Sequence, residues 1–199
     1  IGTSDILKFT SDKLKKLFSK VPDLQSLTLT RDQSFDDSLK VLTSLQSLTL
    51  KYFDQPLNDS LKDLNSLLFL NLFSYNQLLG DSLNSLINLQ SLTFGRPFNK
   101  PLGNSLKKLS SLQSLTFDNF NQPLDDSLKG LISLQSLNLG GYTQPLGDSL
   151  KGLISLKSLE LVGYNQPLGD SLKGLTNLRS LTFGDNFNQQ LNDSLKGLT

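Results

Sequence analysis

The sequence predicts an α/β solenoid, in which coils of chain stack side by side and each coil contributes one short β-strand and one short helical turn. Three observations lead to this prediction. The composition is biased, with 49 Leu and 27 Ser but no Ala in 199 residues. Each coil carries the same series of leucines, and a unit of this length buries them only by stacking on its neighbours. The tetrapeptide Asp-Ser-Leu-Lys, or a close variant, also recurs every 22 or 23 residues, with its serine at Ser38, Ser60, Ser82, Ser105, Ser127, Ser149, Ser171 and Ser194.

The strand of each coil is predicted by the segment Leu-x-Ser-Leu-x-Leu, which alternates with the period of two of a half-buried strand. In one well-kept copy, Leu137 and Leu139 are expected to face the core, whereas Ser136 and Asn138 face the opposite way. Glycines such as Gly163 follow the segment and favour a turn that ends the strand. The coil is therefore expected to leave the strand at a sharp corner.

The return half of each coil is predicted to contain one helical turn and one buried aromatic residue. Asp148 and Ser149 precede Leu150 and Leu153, so we expect their side-chain oxygens to cap a turn that directs both leucines inward. Aromatic residues occur once per coil, a regularity typical of core packing rather than of a cofactor site. They are Phe53, Tyr75, Phe98, Phe120, Tyr142, Tyr164 and Phe187.

The two ends of the chain depart from the repeat. Residues 1–23 do not fit it, and we expect them to form an N-terminal helical cap on the first leucine layer. Residues 24–199 are expected to form about eight repeats, of which the last is incomplete. Because Ile1 is not an initiator Met and the chain stops inside a repeat, we expect the natural protein to extend further. The helix in the cap is predicted by Ser11, Asp12, Leu14, Leu17 and Phe18.

At this point the repeat resembles a known family. The spacing Leu-x-x-Leu-x-Leu in a unit of 22 residues resembles the leucine-rich repeat, and the element Phe/Tyr-Asn-Gln-Pro-Leu, as at 120–124 and 164–168, resembles its FNIP variant. FNIP arrays are familiar from amoebal proteins and from large DNA viruses of protists, where they are sometimes joined to an F-box. The element is also similar to bacterial BspA-type surface repeats, although the Trp-Asp segment usual there is missing. The resemblance covers about residues 24–199.

The resemblance implies a horseshoe-like solenoid with a parallel β-sheet on the concave face and short helical turns on the convex face. One departure from the family pattern concerns the corner after the strand. The Asn usual there is replaced by an aromatic residue, and an Asn follows it, as at Asn121. How the corner satisfies its backbone hydrogen bonds is therefore left open by the sequence.

Charge and composition argue against several functions. Lys plus Arg number 19 and Asp plus Glu 18, a net charge of +1, which disfavours broad capture of nucleic acid or of an acidic membrane. Without His, no serine has the usual general base, and without His and Cys the usual zinc and iron sites are absent. Pairs such as Asp148 and Lys151 are expected to be solvated ion pairs rather than calcium or phosphate sites. We therefore predict a non-catalytic protein without a cofactor.

Most of the predicted concave face is uniform, with Gln, Ser and Thr at the same places in successive coils. The third coil, residues 67–88, departs from this pattern: Phe69, Asn71 and Phe73 are expected to project outward beside Lys51 and Tyr52. Exposed phenylalanines rimmed by polar groups are typical of a protein-binding hot spot. The alternative is that the N-terminal segment or a domain outside this chain covers them.

A second variable set lies toward the C-terminal end and consists of Lys157, Glu160, Arg179 and Asp185. These charges are a weaker candidate for binding, because charges on a surface often serve only solubility.

The first functional hypothesis is a scaffold that binds a protein partner through its concave face. If an F-box is joined to the repeats, the FNIP resemblance implies substrate recognition in ubiquitin ligation. The second is structural self-assembly, as in a fibre, a capsid-associated layer or an adhesin, with self-association through the solenoid ends. Neither hypothesis involves nucleic acid or a membrane.

Overall fold

A computed structural model of the chain describes residues 11–30, 36–196 and 198. Within them, the elements follow the predicted order of one helix and then repeated strands. The helix α1 spans Ser11–Phe18, and two 3₁₀ helices span Asp36–Val41 and Asn192–Leu195. The strands are β1 (Ser26–Thr30), β2 (Ser47–Lys51), β3 (Phe69–Leu72), β4 (Ser91–Phe94), β5 (Ser114–Phe117), β6 (Ser136–Leu139), β7 (Ser158–Leu161) and β8 (Ser180–Phe183).

The eight strands form one parallel sheet in which spatial order equals sequence order. The register is uniform, since Leu48 pairs with Leu70 and Leu70 pairs with Leu92. Each step from one strand to the next is therefore one coil, and equivalent residues of successive coils stand in straight files across the sheet. The predicted leucine-rich-repeat solenoid with a parallel sheet is confirmed.

The leucines of each coil form a continuous core between the sheet and the returning turns. In the coil that contains β6, Leu137 and Leu139 come from the strand and Leu150 and Leu153 from the turns, and each is at most 2% exposed. Burying one such side chain contributes about 1.5–3 kcal/mol. Because neighbouring coils supply the same slots, the core runs through the solenoid without a break.

The helical turn is closed by backbone hydrogen bonds, and the predicted side-chain caps are wrong for the coil used to predict them. The N–H of Ser149 donates to the Leu146 carbonyl and the N–H of Lys151 to the Asp148 carbonyl, each at 2.9 Å. The Asp148 carboxylate instead accepts a bond from Lys151 Nζ at 2.7 Å. Asp148 is exposed, so its carboxylate gains a nearby cation at no cost in hydration.

The aromatic residues at the corners stack on one another inside the core, as predicted. From Tyr75 through Phe98, Phe120 and Tyr142 to Tyr164, successive rings lie 6.2–6.3 Å apart with interplanar angles of at most 16°. These five rings are at most 1% exposed, and Phe53 is 2% exposed. Phe187, at the last corner, is only partly buried.

Burial changes the chemistry of the tyrosines in this stack. Burial disfavours the phenolate and raises the pKa of Tyr75 and of Tyr142 to about 12, and it raises the pKa of Tyr164. The backbone of Leu124 lies near the Tyr142 hydroxyl and partly offsets this rise. Tyr75 Oη donates to the Leu78 carbonyl at 3.2 Å, whereas the Tyr142 and Tyr164 hydroxyls reach hydrogen-bonding geometry with no described atom.

A ladder of side-chain amides satisfies the corner that the sequence left open. The Oδ1 atom of Asn99 accepts a hydrogen bond from the backbone N–H of Asn121 at 2.9 Å, and Asn121 Oδ1 accepts from the N–H of Thr143 at 2.9 Å. Asp54 starts the series by accepting from the N–H of Asn76 at 2.7 Å. The residue that follows the aromatic ring thus ties its corner to the next one, except that Thr143 makes no such bond to Asn165. The acceptors are Asp54, Asn76, Asn99, Asn121 and Asn165.

The helix α1 packs against the 3₁₀ helix Asp36–Val41. Leu14 and Phe18 are each 4% exposed and join the core, whereas Leu17 is 50% exposed and does not. The predicted cap over residues 1–23 remains a prediction, because residues 1–10 lie outside the described part of the chain.

Candidate functional site

The outward face of the sheet is built from residues that alternate with the buried leucines. Its side chains are mostly short and hydroxylated, and they are half-buried because neighbouring files shield them. One file consists of the first residue of every strand, and only one of these residues is aromatic. That file runs Ser26, Ser47, Phe69, Ser91, Ser114, Ser136, Ser158 and Ser180.

The third coil places two phenylalanines on this polar face. Phe69 stands in the serine file and is 48% exposed, and Phe73 follows β3 and is 51% exposed. Between them, Asn71 stands in a file where Thr49 and Thr93 are its neighbours. The alternation of the strand therefore directs all three side chains away from the core, while Leu70 and Leu72 remain buried.

Lys51 and Tyr52 lie beside only one end of this group. Because Leu50 pairs with Leu72, Lys51 is the neighbour of Phe73, and the Phe73 N–H donates to the Leu50 carbonyl at 3.2 Å. Tyr52 is 69% exposed and has a φ of 56°, which is uncommon for a residue with a Cβ atom. Phe69 instead pairs with Ser47, so the predicted neighbourhood holds for Phe73 and not for Phe69.

The next coil approaches the backbone of Phe73 closely. Gly95 follows β4, and a Cβ atom at this position would collide with the carbonyl oxygen of Phe73. The Gly95 N–H donates to the Leu72 carbonyl at 3.3 Å. Glycine is therefore required there, because the backbones of the two coils leave no room for a side chain.

A depression of about 320 Å³ surrounds Phe69 and Asn71 on the outward face. Ser47 and Thr49 form one wall and Ser91 and Thr93 the other, while Leu48 and Leu70 contribute to the floor. The rims are hydroxyl groups, which both donate and accept hydrogen bonds. The depression thus combines one aromatic side chain with several adaptable polar groups.

Asn71 carries an unsatisfied polar atom in this depression. Its Oδ1 is buried and has no hydrogen-bond partner among the described residues. At the equivalent place on β6, Asn138 donates through Nδ2 to Glu160 Oε2 at 2.8 Å. An unpaired buried carbonyl costs about 1–3 kcal/mol, so Asn71 is held at an energetic disadvantage that its counterpart avoids.

The second predicted set lies four strands away from Phe69, and the structure does not bring the two sets together. Lys157 and Arg179 are exposed and adjacent, because the Arg179 N–H donates to the Lys157 carbonyl at 2.8 Å. Lys157 Nζ donates to Gln135 Oε1 at 2.9 Å. Glu160 is half-buried, and its bond to Asn138 turns its carboxylate toward β6 and away from β8.

Two further apolar residues of the third coil were not predicted as part of the site. Leu78 is 66% exposed at a place where the neighbouring coils carry Pro56 and Pro101, and Leu68 is half-buried where the second coil carries Gln46. A comparison of complete coils, rather than of strands alone, would have revealed both. The third coil thus has apolar side chains at four outer positions, where most other coils carry polar residues, glycine or proline. They are Leu68, Phe69, Phe73 and Leu78.

The described residues offer no cluster of three or more side chains suited to hold a metal ion, and none of their helices has the length and apolar character needed to span a membrane. The carboxylates on the turn side are used in exposed ion pairs, such as Asp126 with Lys129 at 2.7 Å. Exposed pairs of this kind contribute about 0–1 kcal/mol.

Comparisons with known proteins show the fold. The chain is similar to an internalin (InlF) of Listeria monocytogenes, with a TM-score of 0.72 and 24% identity over 92% of this chain and 55% of the internalin. It is similar to internalin C2 of the same bacterium, with a TM-score of 0.69 and 20% identity over 96% of this chain and 81% of that protein.

Two further solved structures share the leucine-rich-repeat architecture. A leucine-rich-repeat protein of Leptospira interrogans has a TM-score of 0.66 and 21% identity over 96% of this chain and 56% of its own. The circular leucine-rich-repeat protein CroV588 has a TM-score of 0.59 and 22% identity over 96% of this chain and 35% of its own. The chain thus spans little more than half of the InlF and Leptospira proteins. No family model and no curated protein matches it.

Proposed function

We propose that the chain is a non-catalytic interaction module, which binds a protein partner through the outward face of its sheet at the third coil. The observation that supports this proposal is the pair of exposed phenylalanines, Phe69 and Phe73, on a face that is otherwise Ser, Thr and Gln. Aromatic side chains that become fully desolvated dominate the energy of protein interfaces. A hydroxyl rim of the kind seen around Phe69 excludes water from such an anchor once a partner is bound.

The absence of enzymatic activity is part of the proposal and rests on composition. The sequence has no His and no Cys, so the common nucleophile and base pairs cannot form. The FNIP-like element adds a finer proposal, in which the module recognises the substrate of a ubiquitin ligase. That finer role rests on the resemblance alone.

The test uses substitutions that copy the neighbouring coils. Phe69→Ser reproduces Ser47 and Ser91, and Phe73→Thr reproduces Thr30 in the same file. A phage-displayed library of random peptides is selected against the wild-type chain, and the affinity of selected peptides is measured for each variant. We expect the double variant to weaken binding at least about tenfold, the size expected for loss of a hot spot.

The matched control removes a similar apolar area elsewhere. Ile132 is 59% exposed, and Ser110 occupies the equivalent place in another coil, so Ile132→Ser is as conservative for the fold as Phe69→Ser. The control is expected to leave peptide affinity within about twofold, the change expected for a residue outside a hot spot. Selected peptides that bind the double variant as tightly as the wild type would refute the proposed surface.

Structural self-assembly is a second candidate function. The observation that favours it is that β1 and β8 each pair on one side only among the described strands. An unpaired strand edge is able to pair with another chain. Molar mass measured by light scattering over a wide concentration range tests this candidate: growth of mass with concentration supports it, and a constant 22.0 kDa rules it out.

A further inference from the structure

A track of small side chains joins the third coil to the cationic pair on the same face. From Phe69 on β3, the serine file continues through Ser91, Ser114 and Ser136 to Ser158 on β7. These serines are half-buried, and their side chains are too short to block a segment that crosses the sheet. The track ends near Lys157 and Arg179, which immediately precede β7 and β8.

The cations at the end of the track are substitutions for a neutral residue. Gln90, Gln113 and Gln135 occupy the equivalent place in the three preceding coils. Lys157 and Arg179 therefore add two positive charges side by side at a position that elsewhere carries none. Two adjacent cations repel each other, an arrangement that an anion bound between them would relieve.

Both cations keep donors for a ligand. Lys157 Nζ makes one hydrogen bond, to Gln135 Oε1, and an ammonium group has three donors. The Arg179 guanidinium has no ion pair or hydrogen bond among the described residues, and this group binds a carboxylate through two parallel bonds. Glu160, the acidic residue of β7, accepts a hydrogen bond from Asn138.

The distance between the two ends suits a short linear segment. Four strand spacings of about 4.8 Å give roughly 19 Å from β3 to β7, which an extended peptide covers in about six residues. The serine hydroxyls along the track are able to donate to peptide carbonyls and to accept from peptide N–H groups. A segment that crosses the strands would thus find polar partners between an apolar anchor and a cationic end.

We propose that the partner presents a linear segment with one large apolar side chain that sits against Phe69 and an acidic side chain, about six residues away when extended, that binds Lys157 and Arg179. This inference rests on the proposed function, since it names the chemistry of the partner for that surface. The two positive charges favour an acidic residue at one end of the segment. The row of small serines favours a segment that lies flat across the sheet. The cationic pair supplies specificity and orientation, while the third coil supplies most of the affinity.

The test uses the peptides selected from the random library on the wild-type chain. The variant with Lys157→Gln and Arg179→Gln copies Gln135 at both places and removes two charges without a change in the fold. We expect selected peptides to carry Asp or Glu five to eight residues from a large apolar residue, and the double Gln variant to bind them about five- to twentyfold more weakly. The loss should shrink at high salt, because screening weakens exposed charge pairs.

The outcomes separate this inference from the proposed function. Peptides that lose affinity with Phe69→Ser, yet lack acidic residues and bind the double Gln variant normally, would overturn the inference and leave the proposed function in place. Peptides that bind independently of Phe69 and Phe73, or a failure to select any, would overturn both. The reciprocal check replaces the acidic residue of the peptide by its amide, Asn or Gln. This change should weaken binding to the wild-type chain by the same factor as the double Gln substitution. It should cause no further loss of affinity for the double Gln variant.

Discussion

The side-chain carbonyl oxygen of Asn99 accepts a hydrogen bond from the backbone N–H of Asn121, one coil further along, at 2.9 Å. The two residues follow Phe98 and Phe120, whose rings stack at 6.2 Å in the core. Each corner therefore has an apolar contact on its inner side and a polar contact on its outer side. The pair explains how a residue one place later than in the family pattern still satisfies the backbone.

This ladder predicts a small and specific loss of stability in Asn99→Ala. The substitution leaves the Asn121 N–H without its protein acceptor, and because the site is exposed, water replaces part of the bond. We expect a loss of about 1 kcal/mol in the free energy of unfolding, measured by urea denaturation. Asn99→Asp is the control, since Asp54 performs the same role at the start of the ladder, and it should remain within about 0.5 kcal/mol of wild type. Equal losses in the two variants would contradict the ladder.

A second prediction concerns the turn that follows each buried corner leucine. Gly147 has a φ of +50°, and a Cβ atom there would meet nothing within 4 Å, so a substitution reports backbone strain alone. Gly147→Ala should lower the free energy of unfolding by about 1–2 kcal/mol, the cost of the left-handed conformation. Gly147→Asn should cost less, because Asn58 occupies the equivalent place at a φ of 45°. Thermal and urea unfolding of the two variants provide the comparison, and an Ala variant as stable as the Asn variant would exclude strain as the cause.

The buried tyrosines supply a third prediction, which compares two positions in one stack. Tyr142 has an unpaired hydroxyl, whereas the Tyr75 hydroxyl donates to the Leu78 carbonyl. Tyr142→Phe should therefore raise the free energy of unfolding by about 1 kcal/mol, and Tyr75→Phe should lower it by up to about 1 kcal/mol. Phenylalanine fits both places, because Phe98 and Phe120 fill them in other coils. Changes of the same sign in both variants would show that the hydroxyl contacts do not decide the difference.

The same tyrosines predict a loss of stability in alkali. In the folded chain the pKa of Tyr75 and of Tyr142 is about 12, above the value of about 10 for an unfolded tyrosine. Below pH about 10 both states hold the proton and the stability is complete; as the pH rises toward 12, the unfolded state ionises first and the stability is lost. The free energy of unfolding measured against pH should fall in this window, and it should fall less steeply in Tyr142→Phe. Because the two proteins differ only at residue 142, the comparison isolates the tyrosine.

The repeat made the fold predictable, because identical leucine slots recur at a fixed interval and only stacking buries them. The same regularity predicted that Phe69 and Phe73 face outward, since they interrupt an otherwise constant strand. The helical turn was mispredicted in one respect. Asp148 and Ser149 have the composition of a cap, but the turn is so short that backbone bonds to residues three places back satisfy its N–H groups.

Other features depend on distances that a linear pattern does not contain. Among the described residues, Asn71 Oδ1 has no donor within hydrogen-bonding distance although threonines stand on either side, whereas the Asn138 amide is held through Nδ2 by Glu160 on the next strand. The role of Gly95 depends on the approach of the Phe73 carbonyl, and the bond between Asn99 and Asn121 depends on the rise from one coil to the next. Each requires the register between coils, which the sequence implies but does not measure.

The last prediction concerns Asn71, where stability and binding are expected to oppose each other. Asn71→Thr copies Thr49 and Thr93 on either side, replaces a buried unpaired amide and introduces a residue that suits a strand. The free energy of unfolding should rise by about 1 kcal/mol in urea denaturation. Asn138→Thr is the control: its amide is paired with Glu160, so the same substitution should give no gain.

If the third coil is a binding surface, the stabilised Asn71→Thr variant should bind the selected peptides more weakly than wild type, because the depression around Phe69 loses one of the side chains that line it. Residues retained at a cost in stability are expected at sites kept for function. A variant that is more stable and binds equally well would show that Asn71 is a packing defect without a role in recognition. A variant that gains no stability would show that Oδ1 finds a partner in solution, which would remove the energetic argument for this residue and leave Phe69 and Phe73 as the anchors.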